Sequence, residues 1–294
     1  MRIGLKLDSD FDTSEPYRRL FGGCDVPSRL SELGVQAVEI PLDPFSDLGD
    51  VGDKARRCHR VGLQVSFHPY TEGHETNPAY FSGPESRPAM VHQRFLALAA
   101  DLARQQGETI VNIHPAADTN RLRRGELMER TVQFFSWTLD WCAERAPHVR
   151  PVAELQVGPE AAEHLVRVGD SPFELAQIVE RSGVAACWDV GHAVWNHRRF
   201  DTPQDPPNRL WERIAHVHCH DVGRVDHRVL RRGDAHWQRF LQKLLGFGFA
   251  GTVVVEVAAQ TFLDAGGLTA LEESITALSE TEFPPGVTRK AAPR

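Results

Sequence analysis

Imidazole and carboxylate side chains recur along this 294-residue chain at the ends of short apolar runs. The run VSFHPY carries His68, VNIHPA carries His114 and PVAEL carries Glu154. CWDVGHA holds Asp189 and His192, HVHCHD holds His216, His218, His220 and Asp221, and VVVEV holds Glu256. The loop after HVHCHD, VDHRVLRRGD, adds Asp226 and His227. Such a mixture of nitrogen and carboxylate donors suits Zn, Mn, Fe or Co, whereas a soft thiolate site would place cysteines at these positions. Glu154 and Glu256 each interrupt an apolar run, where an unpartnered carboxylate is costly, so each needs a partner and a metal is the simplest. Plainer uses exist for single residues: Asp189 as the cap of a following helix, His68 or His114 as hydrogen-bonding strand ends. Six metal-competent residues in step are harder to explain one by one than as a single site.

The steps are regular. His68 and His114 are 46 residues apart, and further steps of 40, 35, 29 and 38 lead to Glu154, Asp189, His218 and Glu256. Each is about one strand–helix unit of an α/β barrel, in which functional side chains gather at the carboxyl ends of the strands. The elements that must hold them follow the same rhythm. Strands are expected at Arg2–Leu7, Val35–Ile40, Gln64–His68, Thr109–His114, Pro151–Leu155, Ala185–Val190, Ala215–His220 and Thr252–Val257. GTVVVEV reads as a strand buried on both faces, as in a parallel sheet. Val91–Gln106, Glu126–Glu144, His236–Leu245 and Leu268–Leu278 carry helical spacing, and Gly107 is a stop signal for the first of them. The alternative, an open doubly wound sheet, usually shows a glycine-rich phosphate loop after its first strand, and KLDSDFDTS has none. The expected architecture is therefore a single (β/α)8 TIM barrel over residues 1–284, with a loose tail at 285–294.

Bulk properties narrow the partners. Lys and Arg total 33 against 40 Asp and Glu, a formal charge of -7, which gives no global attraction to nucleic acid. Five scattered cysteines, none in a CxxC pair, point to reduced thiols rather than a disulfide framework. The charged opening MRIGLKLDSD and the lack of a long apolar stretch give no sign of a signal peptide or membrane span, so a cytoplasmic location is expected. Trp137, Trp141, Phe134 and Phe135 read as helix–barrel packing. The basic run Arg121–Gly125 reads first as a solvated helix start, and His197, Arg198 and Arg199, after the sixth strand, as better candidates for a substrate phosphate.

As an ordered series these residues resemble the xylose-isomerase-like barrels, a family that includes sugar isomerases and epimerases, inosose dehydratases and apurinic endonuclease IV enzymes. The resemblance covers nearly the whole chain, and the Asp-x-x-His of Asp189 and His192 followed by the HxHxxD of His216 to Asp221 is its most specific part. For the single-metal isomerases and epimerases, the resemblance implies Glu154, Asp189, His218 and Glu256 as ligands, Glu154 and Glu256 as the acid–base pair, and His192 as a substrate contact. The endonuclease branch implies three zincs instead: His68, His114 and Glu154 for one, the same four residues for a second, and His192 with His227 for a third. The chain departs from both patterns. Val225 stands where the endonucleases have the Asp of Asp-x-His, with Asp226 adjacent to His227. LQVGPEAAE replaces a glycine-rich segment, and His220 replaces the Lys of HxHxKD.

Two chemistries follow. One divalent ion (Mn, Zn, Co or Mg) with two glutamates would move a proton beside a carbonyl of a small sugar, polyol or sugar phosphate, with His192, His220 and Arg198 contacting substrate. Two or three zincs would instead activate hydroxide against a phosphoester. The first is the favoured expectation. Nucleic acid and membrane are not expected as partners, and a homo-oligomer is left open.

Overall fold

A computed structural model describes residues 1–71, 73–118, 121–159, 165–231 and 235–281; the expected tail at 285–294 lies outside the described residues. Eight strands carry the architecture: β1 (Arg2–Lys6), β2 (Ala37–Leu42), β3 (Gln64–Pro69), β4 (Thr109–Ile113), β5 (Val149–Glu154), β6 (Ala185–Asp189), β7 (Ile214–Cys219) and β8 (Thr252–Val255). All neighbouring pairs are parallel, and β1 closes the ring on β8 in register from Arg2 against Thr252 to Leu5 against Val255. Closure excludes the open doubly wound sheet. Strands buried on both faces lose the polar–apolar alternation of a half-exposed sheet, and β2, β7 and β8 are buried at every residue.

Helices between the strands shield the barrel. They include α1 (Glu15–Phe21), α2 (Val26–Glu32), α3 (Leu48–Arg60), α4 (Arg87–Gln106), α5 (Arg124–Arg145), α6 (Pro172–Ser182), α7 (Val190–Phe200), α8 (Ala235–Gly246), α9 (Ala259–Ala265) and α10 (Leu268–Ser279). Their starts follow capping chemistry: the side chains of Asp25, Asp47, Ser171 and Asp189 each accept a backbone N–H of the first turn. Gly107, the expected stop, ends α4 at φ 92°, a conformation that a side chain would strain. The main core fills the space between strands and helices and includes Phe67, Phe95, Phe134, Phe135, Trp188 and Trp211. Phe134 packs against Phe81, His92 and Trp137, so this aromatic group is core, as its helical spacing suggested.

The pleat of the strands does the positioning. Residues two apart on a strand share a face, so Asp189 follows Cys187 and His218 follows His216 toward the barrel axis. Over the carboxyl ends, a short antiparallel ribbon of Ala117–Asp118 with Val166–Arg167 walls one side of the opening. Among the described residues no helix is long and apolar enough to cross a membrane.

Candidate metal centre

Four consecutive strands, β5 to β8, bring Glu154, Asp189, His218 and Glu256 to one place at their carboxyl ends, with ligand-competent atoms all within 4.8 Å of one another. All four are buried. His218 Nδ1 lies 2.7 Å from Glu256 Oε2, 3.7 Å from Glu154 Oε2 and 3.8 Å from Asp189 Oδ2. Asp189 has both of the uses open to it in the sequence. Its Oδ1 accepts the His192 backbone N–H at 2.7 Å and caps α7, while its Oδ2 is buried without a hydrogen-bond partner. Glu154 Oε1, His218 Nδ1 and Glu256 Oε2 are likewise buried without hydrogen-bond partners. Unsatisfied polar atoms are rare in protein interiors and costly. Three carboxylates and an imidazole sharing this defect are a donor set that fits a divalent cation.

Two further groups adjoin the first. His68 and His114 meet Glu154, at 3.6 Å from Oε2 and 3.4 Å from Oε1. On the other side Asp189, His192, His220 and His227 converge. His68 donates Nδ1–H to the Asn112 carbonyl and His192 donates Nδ1–H to the Leu155 carbonyl, both at 2.9 Å. Each ring is thereby fixed with its Nε2 bare, the tautomer a metal ligand or substrate acceptor requires. His227 adopts φ 51°, unusual for a residue with a side chain. Its backbone N–H donates to His220 Nδ1 at 2.9 Å, and its ring Nδ1 lies 3.2 Å from Asp226, which therefore supports His227 from the adjacent position. The His220 ring stacks on that of His227 with 4.1 Å between centroids, and a Cβ at Gly191 would collide with it.

The electrostatics reflect this crowding. Burial alone would raise the carboxyls of Glu154 and Glu256. The imidazoles of His114, His218 and His68 instead hold Glu154 well below the usual carboxylate range, and His218 with Lys6 does the same to Glu256. Burial would lower His218, but Glu256 and the other nearby acids outweigh it and keep its pKa well above the ordinary value. His68 is pushed down to about 4 by burial. His227, despite burial, is raised to about 10 by Asp226 and Glu256.

Three participants escaped the sequence reading. Lys6, ending β1, places Nζ 2.8 Å from Glu256 Oε1. Glu39, at the middle of β2, is fully buried against His216 and His218. Asn112 on β4 donates its amide to Glu154. For Glu39 the signal was available, because AVEI is another apolar run interrupted by a carboxylate. Other candidates stand apart from the cluster. Arg198 donates to the Val222 carbonyl at 2.8 Å and is not among the residues lining the cavity described below. The His197 ring pairs with the Thr202 carbonyl, and Arg199 stacks on Trp195. In the run Arg121–Gly125, Arg124 is spent on Asp170 and Glu174.

Through Glu256 the cluster adjoins a cavity of about 490 Å³, walled by Lys6, Tyr70, Gln156 and Arg167 and floored by His68, His114, His192, His227 and Glu256. A closed parallel barrel with carboxylates and imidazoles gathered at the carboxyl ends of its strands defines a TIM barrel with a candidate metal centre. The chain belongs to the xylose isomerase-like TIM barrel family, whose model matches residues 27–281. Its fold is similar to D-psicose 3-epimerase from Clostridium cellulolyticum H10, solved with D-tagatose, at a TM-score of 0.68 and 15% identity over 96% of this chain and 98% of that one. It is similar to IolI protein with a bound zinc atom, at a TM-score of 0.58 and 14% identity over 96% of each chain. It also resembles endonuclease IV from Thermus thermophilus, at a TM-score of 0.50 and 18% identity over 93% of this chain and 100% of that one. No curated protein matches the sequence.

Proposed function

We propose that this protein is a divalent-metal-dependent isomerase or epimerase of a small sugar, polyol or sugar phosphate. The observation that carries the reading is the convergence of two buried glutamates, Glu154 and Glu256, on one four-residue donor cluster that adjoins, at Glu256, a cavity of small-molecule size. Glu154, Asp189, His218 and Glu256 would hold the ion, which supplies Lewis acidity that lowers the cost of negative charge on a carbonyl and neighbouring hydroxyl. Glu154 and Glu256 remove and return the proton on the carbon beside that carbonyl. Lys6 takes Oε1 of Glu256 and leaves Oε2 facing the cluster. Asn112 fixes Glu154 in the same way from the other side. His192, with its bare Nε2 on the cavity floor, contacts a substrate hydroxyl, and His220 acts behind it by seating His227. Arg198 braces the loop after β7 through Val222. The fold similarity to D-psicose 3-epimerase supports this reading as an analogy of architecture.

A specific observation favours a second reading. The flanking groups His68–His114–Glu154 and Asp189–His192–His220–His227 offer positions for further metals, the arrangement a multi-zinc phosphoesterase would use. One experiment separates the two. The protein, loaded in turn with Mn, Co, Mg or Zn, is incubated with a ketose panel in D2O, and C–H exchange beside the carbonyl is followed by proton NMR. The zinc form is also assayed on bis-p-nitrophenyl phosphate and abasic-site DNA. Exchange with about one ion per chain is the expected result. Phosphoester cleavage with two or three zincs and no exchange would replace the first reading by the second.

A further inference from the structure

Beneath the candidate ligands lies a second polar layer that does not line the cavity. Glu39 on β2, His216 on β7 and Ser66 on β3 are all buried, and Glu39 and His216 have no solvent exposure. Glu39 divides its two oxygens between two imidazoles: Oε2 takes the Nε2–H of His216 at 2.9 Å, and Oε1 lies 2.7 Å from His218 Nε2. Ser66 Oγ donates to Oε2 at 3.2 Å. The opposite ring nitrogen, Nδ1, lies at the same 2.7 Å from Glu256 Oε2, so the His218 imidazole is held between the carboxylates of Glu39 and Glu256. The Asn112 amide, which donates one N–H to Glu154, also reaches His218 Nε2 at 3.3 Å. His218 thus turns Nε2 toward Glu39 and Nδ1 toward Glu154, Asp189 and Glu256. The succession Glu256, His218, Glu39, His216 does not continue as a proton path, because His216 Nδ1 is buried without a hydrogen-bond partner.

We propose that Glu39 is a positioning residue, a buried carboxylate that clamps both imidazoles of the His-x-His pair and thereby presents Nδ1 of His218 to the metal centre. The role rests on the reading of Glu154, Asp189, His218 and Glu256 as the cation site. Without a carboxylate at 39, Nε2 loses its acceptor, and the ring is free to carry its proton on Nδ1, where it competes with a metal. Carboxylates behind histidine ligands set ring tautomer and orientation, and their loss typically weakens metal binding by about 10- to 100-fold.

The test pairs two readouts on the full-length protein. Zinc titration by calorimetry of metal-free wild type and Glu39→Gln is expected to show about 10- to 100-fold weaker binding in the variant at the same stoichiometry. Long-range proton–nitrogen NMR of 15N-histidine-labelled protein is expected to show the His218 Nε2 proton in wild type and its loss in the variant. A residue that merely fills space would move neither. Wild-type zinc affinity in Glu39→Gln, or an unchanged His218 ring pattern, overturns the proposal. If wild type binds no metal, the metal reading fails, while the ring pattern still decides whether Glu39 sets the tautomer. Should Glu39→Gln not fold, Ser66→Ala removes one support of the same carboxylate, and zinc binding weakened severalfold is expected; unchanged binding there overturns the assignment.

Discussion

The same eight strands end very differently at the two mouths of the barrel. At the amino-terminal mouth, the amides of Gln64 and Gln106 are spent on strand-end groups. Gln106 accepts from the Val65 N–H at 3.0 Å and donates to the Val65 and Glu108 carbonyls and Thr109 Oγ1, while Gln64 donates to the Glu108 carbonyl. The cleft there is about 270 Å³, and among its lining residues are Arg2, Glu108, Arg150 and Glu212, with no histidine. At the carboxyl-terminal mouth, carboxylates and imidazoles crowd together with lone pairs unspent. Polar groups that satisfy each other stabilise a fold, whereas a cluster of unsatisfied carboxylates and imidazoles at a strand-end opening points to something it binds. Substitutions at the two mouths should accordingly fail in different assays.

The largest effect is expected at the carboxyl-terminal mouth. Glu154→Gln and Glu256→Gln should each lower turnover by about 10³-fold, measured as C–H exchange, with the proteins still folded by circular dichroism. Full activity in both would remove the acid–base assignment. A smaller effect, on stability alone, is expected from His92, a buried histidine of the helical shell whose Nε2 donates to the Thr76 carbonyl at 2.9 Å. Burial pushes its pKa down to about 4 from the ordinary 6.5. The unfolded chain thus binds the proton first. The contribution of the neutral ring is complete above pH 6.5 and is lost as pH falls toward 4. Between pH 7 and 4, wild type should lose about 3 kcal/mol more unfolding free energy than His92→Phe, given about 1.4 kcal/mol for each pKa unit. Equal losses in denaturant titrations would contradict this.

At the amino-terminal mouth, Gln106→Ala should cost about 2 kcal/mol of stability by leaving strand-end groups without partners. Its metal content and exchange rate should match wild type, and a change in either would blur the contrast between the mouths. The smallest effect sharpens the choice of chemistry. His68→Ala combined with His114→Ala should leave the four-residue cluster loaded and lower isomerase turnover by less than about tenfold, because neither ring belongs to that cluster. A collapse of activity and a fall in zinc content would instead favour the multi-metal hydrolase.

How much of this was legible in the sequence follows from the period of each feature. Strand runs and their spacing are one-dimensional signals, so β3 begins at Gln64 and β6 at Ala185, as expected, and the rim residues fall in order. Strand ends moved by one or two residues where flanking apolar residues continue the run, as with β2, expected at Val35–Ile40 and found at Ala37–Leu42. The antiparallel ribbon over the rim was not read, because two-residue strands carry no period. Within the site, residue type and strand position located the carboxylates and imidazoles, but which nitrogen faces which oxygen depends on the pleat and on neighbouring strands. Arg198 shows that limit: its place after β6 is a rim position, yet its guanidinium turns to the Val222 carbonyl. Glu39 shows the opposite case. It lies two residues before Pro41, which pairs with His68, so its side chain points into the barrel one layer beneath the rim rather than at it.

The central claim is that Glu154, Asp189, His218 and Glu256 hold a divalent ion. The most direct measurement is elemental mass spectrometry of chelator-free protein, desalted after incubation with Mn, Co, Mg or Zn, for wild type and His218→Ala. About one tightly held ion per chain in wild type, lost in the variant, is the predicted result. No ion above background in wild type, or the same content in both proteins, would contradict it.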